Sequence, residues 1–165
     1  MNYRQRLQDM EIDENPLRAL ALDNQDTGAG AAGDTTAPVI VQDATPAQRL
    51  LLVEDNADLL DLTLMMLEAL GYAATGVATA EDALALLEKQ PCAMLMTDVT
   101  LPKMSGIDLV ALVRARYPQM PVVVASGYGR PSALDGVEVG YLKKPYQLAD
   151  LQMVIEQGLP QKATI

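Results

Sequence analysis

From Arg49 onward the chain alternates short apolar runs with longer stretches whose apolar residues recur every three or four positions. Leu50 to Val53 and Val122 to Ala125 are apolar throughout, and Ala93 to Asp98 is so until its last two residues. Such runs, bounded by turn residues, mark strands buried on both faces of a sheet. Tyr72 to Val77 reads as a weaker strand, and Tyr141-Leu142 marks a fifth within Val139 to Leu142. Between them lie helical patterns. Asn56 to Leu70 carries Leu59, Leu60, Leu64, Leu67 and Leu70, with Gly71 as its stop. Thr79-Ala80-Glu81-Asp82 is a cap with an acid three residues on, opening a helix to about Gln90, before Pro91. Ser105 to Asp108 repeats that signal ahead of Ile107, Val110, Val113 and Tyr117, with Arg114 and Arg116 in the last turn, where cations suit the helix dipole. Gln147 to Gly158 carries Leu148, Leu151, Val154 and Ile155.

Strand followed by helix, repeated about five times, predicts an α/β fold: a doubly wound five-stranded parallel sheet with helices on both faces. One interval breaks the pattern. Gly127 to Gly140 holds four glycines and Pro131, so the fourth helix is predicted to be short or absent. Residues 1–48 are of another character. Thr27 to Thr36 is small and Gly/Ala-rich, a linker composition, and Tyr3 to Ile12 and the stretch after Asn15-Pro16 offer only short helical patterns. The expected layout is an extension with linker over 1–48, a folded domain over 49–160 and a tail over 161–165.

Composition removes several kinds of function. A net charge of −10 disfavours nucleic-acid backbones and anionic membranes. No window is apolar for the length of a membrane span and no secretory signal opens the chain, so a cytoplasmic protein is expected. The single cysteine, Cys92, rules out an intrachain disulfide and a thiolate cluster and is expected to be a small core residue. With no histidine in the sequence, imidazole metal sites, Ser-His-Asp hydrolysis and phosphotransfer from the chain's own histidine are all excluded.

Parallel sheets place chemistry at the carboxyl ends of their strands. Here those ends deliver Glu54-Asp55, Asp98, Ser126 and Lys144-Pro145. Taken singly, each has an ordinary structural role: an N-cap acid, a loop cap, a turn residue, a solvated lysine. Together they form a reactive set. Three carboxylates in one place call for a cation, and oxygen donors suit Mg²⁺, with Asp55 and Asp98 as direct ligands, Glu54 acting through a water and the Thr100 carbonyl as a third protein ligand. A carboxylate beside such a metal can accept a phosphoryl group, whose oxygens Lys144 and Ser126 would then neutralise and bond.

The stretches Leu51-Leu52-Val53-Glu54-Asp55-Asn56, Thr97 to Gly106, Val124-Ala125-Ser126-Gly127 and Leu142-Lys143-Lys144-Pro145-Tyr146 together resemble the receiver domains of two-component response regulators. The resemblance spans about Arg49 to Leu159. It implies the flavodoxin-like receiver fold, Asp98 as phosphoacceptor, Glu54-Asp55 as the acidic pair that organises Mg²⁺, Ser126 as switch hydroxyl and Lys144 as phosphate-pairing lysine. It further implies a cis Lys144-Pro145 bond, Tyr141 as the aromatic switch, and Thr100 and Tyr128 as positions tuning phosphoryl lifetime, with Tyr128 expected to shield the phosphate from water. The implied partner is a sensor histidine kinase or histidine phosphotransfer protein. The short segment before Tyr141 departs from the family's full fourth helix and is similar to receivers of hybrid kinases. Output is expected through an unknown downstream protein or phosphorelay, without a catalytic domain of its own. Two other readings remain at this point. A haloacid-dehalogenase-like phosphatase would want an acid where Thr100 stands. A binding module could use the same fold without being phosphorylated.

Overall fold

The computed structural model describes residues 49–159. The expectations for 1–48 and for the chain beyond Leu159 lie outside the described residues. Five parallel strands, β1 (Arg49–Val53), β2 (Ala73–Val77), β3 (Met94–Asp98), β4 (Val122–Ser126) and β5 (Gly140–Lys143), form one sheet in the order β2-β1-β3-β4-β5. Four α-helices connect or follow them: α1 (Ala57–Ala69), α2 (Ala80–Lys89), α3 (Gly106–Arg116) and α4 (Leu148–Gly158). Between β4 and β5 the described chain has a single 3-10 turn, Ser132–Leu134, as the glycines and Pro131 predicted.

Alternation along each strand divides the core in two. Leu51, Val53, Leu95, Val122 and Val124 point to one face, where they meet Ala83 and Leu87 of α2 and Leu109, Val110 and Val113 of α3. Leu50, Leu52, Met94, Met96, Val123 and Leu142 point to the other, against Leu67 of α1 and Leu151, Val154 and Ile155 of α4. Because both faces are covered, all five residues of β4 are buried, which is why that strand reads as one apolar run. Half-buried Cys92 packs at the margin of the first cluster.

The helix signals act as read, except that two leucines of those patterns, Leu59 of α1 and Leu148 of α4, are exposed. Thr79 accepts the Asp82 amide at 3.1 Å, and Ser105 with Asp108 closes a full capping box. In α1 the inward stripe is Leu60, Leu64 and Leu67, whereas Leu59 is 40% exposed. Spacing i, i+4, i+7 defines one face, and Leu59 lies a helical step of about 100° away from it. Gly71 ends α1 with φ +83°, a conformation that strongly favours glycine.

β1 sits between β2 and β3, so the chain leaves β1 toward one side and returns on the other. The crevice opened by that reversal lies at the carboxyl ends of β1 and β3. Glu54-Asp55 and Asp98 stand there.

Candidate functional site

Asp98 is the last residue of β3 and is paired in register with Ala125 of β4. Its carboxylate, that of buried Glu54 and that of exposed Asp55 can each bring one oxygen within 4.8 Å of the others. Glu54 leaves β1 with its amide donating to the Val77 carbonyl, and its Oε1 accepts the Asn56 amide at 3.2 Å. Lys144 directly follows β5 and is joined to Pro145 by a cis peptide bond. Its ammonium donates to Glu54 Oε2 at 2.5 Å and lies 3.1 Å from Asp98 Oδ2. Burial alone pushes the Lys144 amine down. Hydrogen bonds to Glu54 and Asp98, with their charges, outweigh that and hold it above its ordinary range. One cation therefore bridges two of three clustered acids.

Ser126 ends β4, is 4% exposed, and accepts the Tyr128 amide on Oγ at 3.1 Å. Its carbonyl accepts two further donors, the Lys144 amide at 2.9 Å and the Tyr141 hydroxyl at 3.3 Å. Tyr141 is half-buried on β5 and thus touches the main chain of the residue implied to switch with it. The Thr100 amide donates to Asp98 Oδ1 at 3.3 Å, fixing the carboxylate from the loop side. Tyr128 differs from expectation. Its side chain is 100% exposed and packs on nothing, so any shielding of Asp98 requires the ring to swing from this position.

Three features were missed in the sequence. Gly106, the first residue of α3, lies so close to the acceptor strand that a Cβ there would be 1.8 Å from the Asp98 carbonyl oxygen. The Gly106 amide donates to the Val99 carbonyl at 3.0 Å, closing the loop that follows Asp98. Lys103 within that loop takes φ +62°, an uncommon conformation for a residue with a side chain. Finally, the Tyr146 hydroxyl pairs at 2.8 Å with Thr63 Oγ1, tying the Lys144-Pro145 turn to α1, and burial pushes that phenol up despite the bond to Thr63. Thr63 among the leucines of α1 was the available signal: a buried hydroxyl on an apolar stripe needs a partner.

Among the described residues no helix is long and apolar enough to cross a membrane. The response regulator receiver domain profile matches residues 50–156. The chain is 34% identical over 120 residues to the response regulator FleR of Pseudomonas aeruginosa, covering 70% of this chain and 25% of that one. It is 32% identical over 120 residues to the regulatory protein PgtA of Salmonella typhimurium, covering 70% and 29%. The chain thus spans under a third of the length of these relatives. With the receiver protein CpdR of Brucella abortus it shares 29% identity over 116 residues, covering 68% of this chain and 97% of that one. Among solved structures, the receiver domain of a Pseudomonas aeruginosa sensor histidine kinase, with a magnesium ion coordinated in its active-site cleft, is similar with a TM-score of 0.63 at 28% identity, covering 68% of this chain and 97% of that one. The chemotaxis protein CheY4 of Vibrio cholerae shares the fold at a TM-score of 0.64 and 24% identity, covering 68% and 98%. The match over residues 50–156, on a sheet carrying its acids at the β1 and β3 ends, makes this chain a member of the response regulator receiver family.

Proposed function

We propose that residues 49–160 form a phosphorylation-controlled switch in the cytoplasm, with Asp98 as phosphoacceptor and no separate enzymatic activity. The observation that carries this reading is Lys144 bridging Glu54 and Asp98 inside a cluster of three carboxylates. Like charges so close disfavour one another unless cations offset them. The donors are all oxygen, which fits Mg²⁺: Asp55 and Asp98, with the Thr100 carbonyl and with Glu54 acting through a water, would hold it. When bound, it supplies positive charge to the oxygens of a transferring phosphoryl group.

The chain's own groups do the rest. Receiver domains take phosphoryl groups from kinases, and the donor in this reading is a phosphohistidine on a sensor histidine kinase or histidine phosphotransfer protein. An Asp98 carboxylate oxygen attacks phosphorus; the O–P bond forms as the N–P bond breaks, and its electron pair stays on the donor imidazole. Lys144 then exchanges its bond to Glu54 for one to a phosphoryl oxygen, and Ser126 Oγ donates its proton to another. Movement of Ser126 biases Tyr141, whose hydroxyl already bonds the Ser126 carbonyl, and an unidentified protein reads the altered surface or receives the phosphoryl group. Thr100 and Tyr128 tune phosphoryl lifetime. Residues 1–48 serve as an extension and linker, and 161–165 as a tail.

The test is intact mass after incubation with Mg²⁺ and a small phosphodonor, comparing wild type with Asp98→Asn. One phosphoryl adduct in wild type and none in the variant is expected. No Asp98-dependent adduct under any condition would leave a binding module that uses the fold without phosphorylation. Faster dephosphorylation of Tyr128→Ala is expected if the ring shields, and an unchanged rate would remove Tyr128 from the site.

A further inference from the structure

Residues 127–139 contain one 3-10 turn, so most of their carbonyls have no helical donor. Arginine side chains take over that role. The Arg130 guanidinium donates to the Val137 carbonyl at 2.9 Å and to those of Leu134 and Val139, both at 3.4 Å. Arg114, in the last turn of α3, donates to the carbonyls of Met120 at 2.7 Å and Pro118 at 3.2 Å, and with its other terminal nitrogen to that of Glu138. Two guanidinium forks thus converge on residues 137–139, directly before β5, while fully buried Leu134 anchors the middle of the segment. The five donors of a planar guanidinium suit it to gather several carbonyls at once.

The two arginines differ in what they join. Arg114 ties the segment to a helix that packs in the core. Arg130 ties it to the turn that begins at Ser126, where Ser126 Oγ accepts the Tyr128 amide. A hydroxyl can donate its proton and still accept, so Oγ can bond a phosphoryl oxygen without releasing that amide. Displacement of Oγ therefore draws the turn with it, and Gly127 and Gly129 (φ +89°) give the turn freedom to follow. We propose that Arg130 is the positioning residue that carries this displacement to residues 134–139 and so to Tyr141, the role a helical ladder would play were an α-helix present between β4 and β5. The proposal rests on the receiver reading above.

Hydrogen exchange read by mass spectrometry, with Mg²⁺ and with or without beryllofluoride, tests it on wild type, Arg130→Ala and Arg130→Lys. In wild type, beryllofluoride is expected to change exchange both at 126–129 and at 134–139. In Arg130→Ala, beryllofluoride affinity should stay within about threefold of wild type and the change at 126–129 should persist. The change at 134–139 should fall to less than a third. Arg130→Lys keeps the charge but not the fork, and should lose at least half of the distal change. A merely structural Arg130 would alter exchange without ligand yet leave the ligand-induced change at 134–139 whole, and that result would overturn the proposal. So would a wild type that binds beryllofluoride without responding at 134–139. A wild type that binds none, judged against Asp98→Asn, brings down the receiver reading itself and this one with it.

Discussion

Gly106→Ala tests how the fold holds its acceptor. Gly106 does not occupy positive φ, so the issue is space alone. The added methyl would lie 1.8 Å from the Asp98 carbonyl oxygen, 2.8 Å from its carbonyl carbon and 3.0 Å from Val99 Cα, all of them backbone. No rotamer change relieves such contacts, so α3 and the end of β3 must separate by roughly 1 Å or more. Overpacking of this kind costs about 1–3 kcal/mol. Losing the bond from the Gly106 amide to the Val99 carbonyl adds about 1 kcal/mol, while the stiffer unfolded chain returns about 0.4–1 kcal/mol. The net is a destabilisation of about 1–3.5 kcal/mol. For a domain of this size that lowers Tm by roughly 5–15 °C. Because the group displaced is Asp98 itself, Mg²⁺-dependent beryllofluoride affinity should fall about tenfold or more, as misplacement by about 1 Å does at other reactive centres. Thermal melts by circular dichroism and a binding titration measure both. A Tm within about 2 °C of wild type together with unchanged affinity would refute the steric argument.

Three further perturbations probe the surroundings. Lys144→Met removes the bridge between Glu54 and Asp98. Since the Lys144 amine is held above its ordinary value of 10.5, its stabilisation is complete below that pH and is lost as pH rises through the higher folded value. The urea midpoints of wild type and variant should therefore converge above about pH 10.5, and a constant gap to pH 12 would contradict the pairing. Tyr146→Phe leaves the Thr63 hydroxyl, in a residue 2% exposed, without its partner and should cost about 1–3 kcal/mol. In a double-mutant cycle with Thr63→Val the pair should fall short of additivity by about 1 kcal/mol, whereas strict additivity would show that the bond contributes nothing. Lys103→Gly relieves a side chain held at φ +62° and should leave urea stability unchanged or raise it by up to about 1 kcal/mol, while Lys103→Val should lower it. A loss in the glycine variant would show that the Lys103 side chain makes a contact of its own.

What could be read from the sequence was what side-chain type and period encode. Runs such as Val122 to Ala125 announce a strand covered on both faces, and Ser105 with Asp108 announces a helix start, because each depends on residues near one another in the chain. The site was legible for a related reason. Parallel strands bring their carboxyl ends to one rim, so the residues at the carboxyl ends of β1, β3, β4 and β5 had to be neighbours once the strands were found. The Lys144 bridge to Glu54, between residues far apart in sequence, follows from topology rather than from any local pattern.

The roles of Arg114, Arg130 and Gly106 escaped the sequence for a shared physical cause: their acceptors are main-chain carbonyls or their fit is one of distance. A carbonyl is the same on every residue, so Arg130 reaching Val137, or Arg114 reaching Glu138, leaves no complementary letter in the sequence. Composition could say that residues 127–140 lack a helix, but not what holds them in its place. Gly106 is alike in this respect, since its requirement is set by the Asp98 carbonyl oxygen, an atom any residue at that position would present. It follows that substitutions at Arg114, Arg130 and Gly106 act on backbone geometry and leave the acids, the lysine and the serine chemically whole. A variant at Arg114 or Arg130 that keeps every reactive group yet fails to transmit a change at Asp98 would locate the switch in the backbone between β4 and β5, rather than in the reactive side chains.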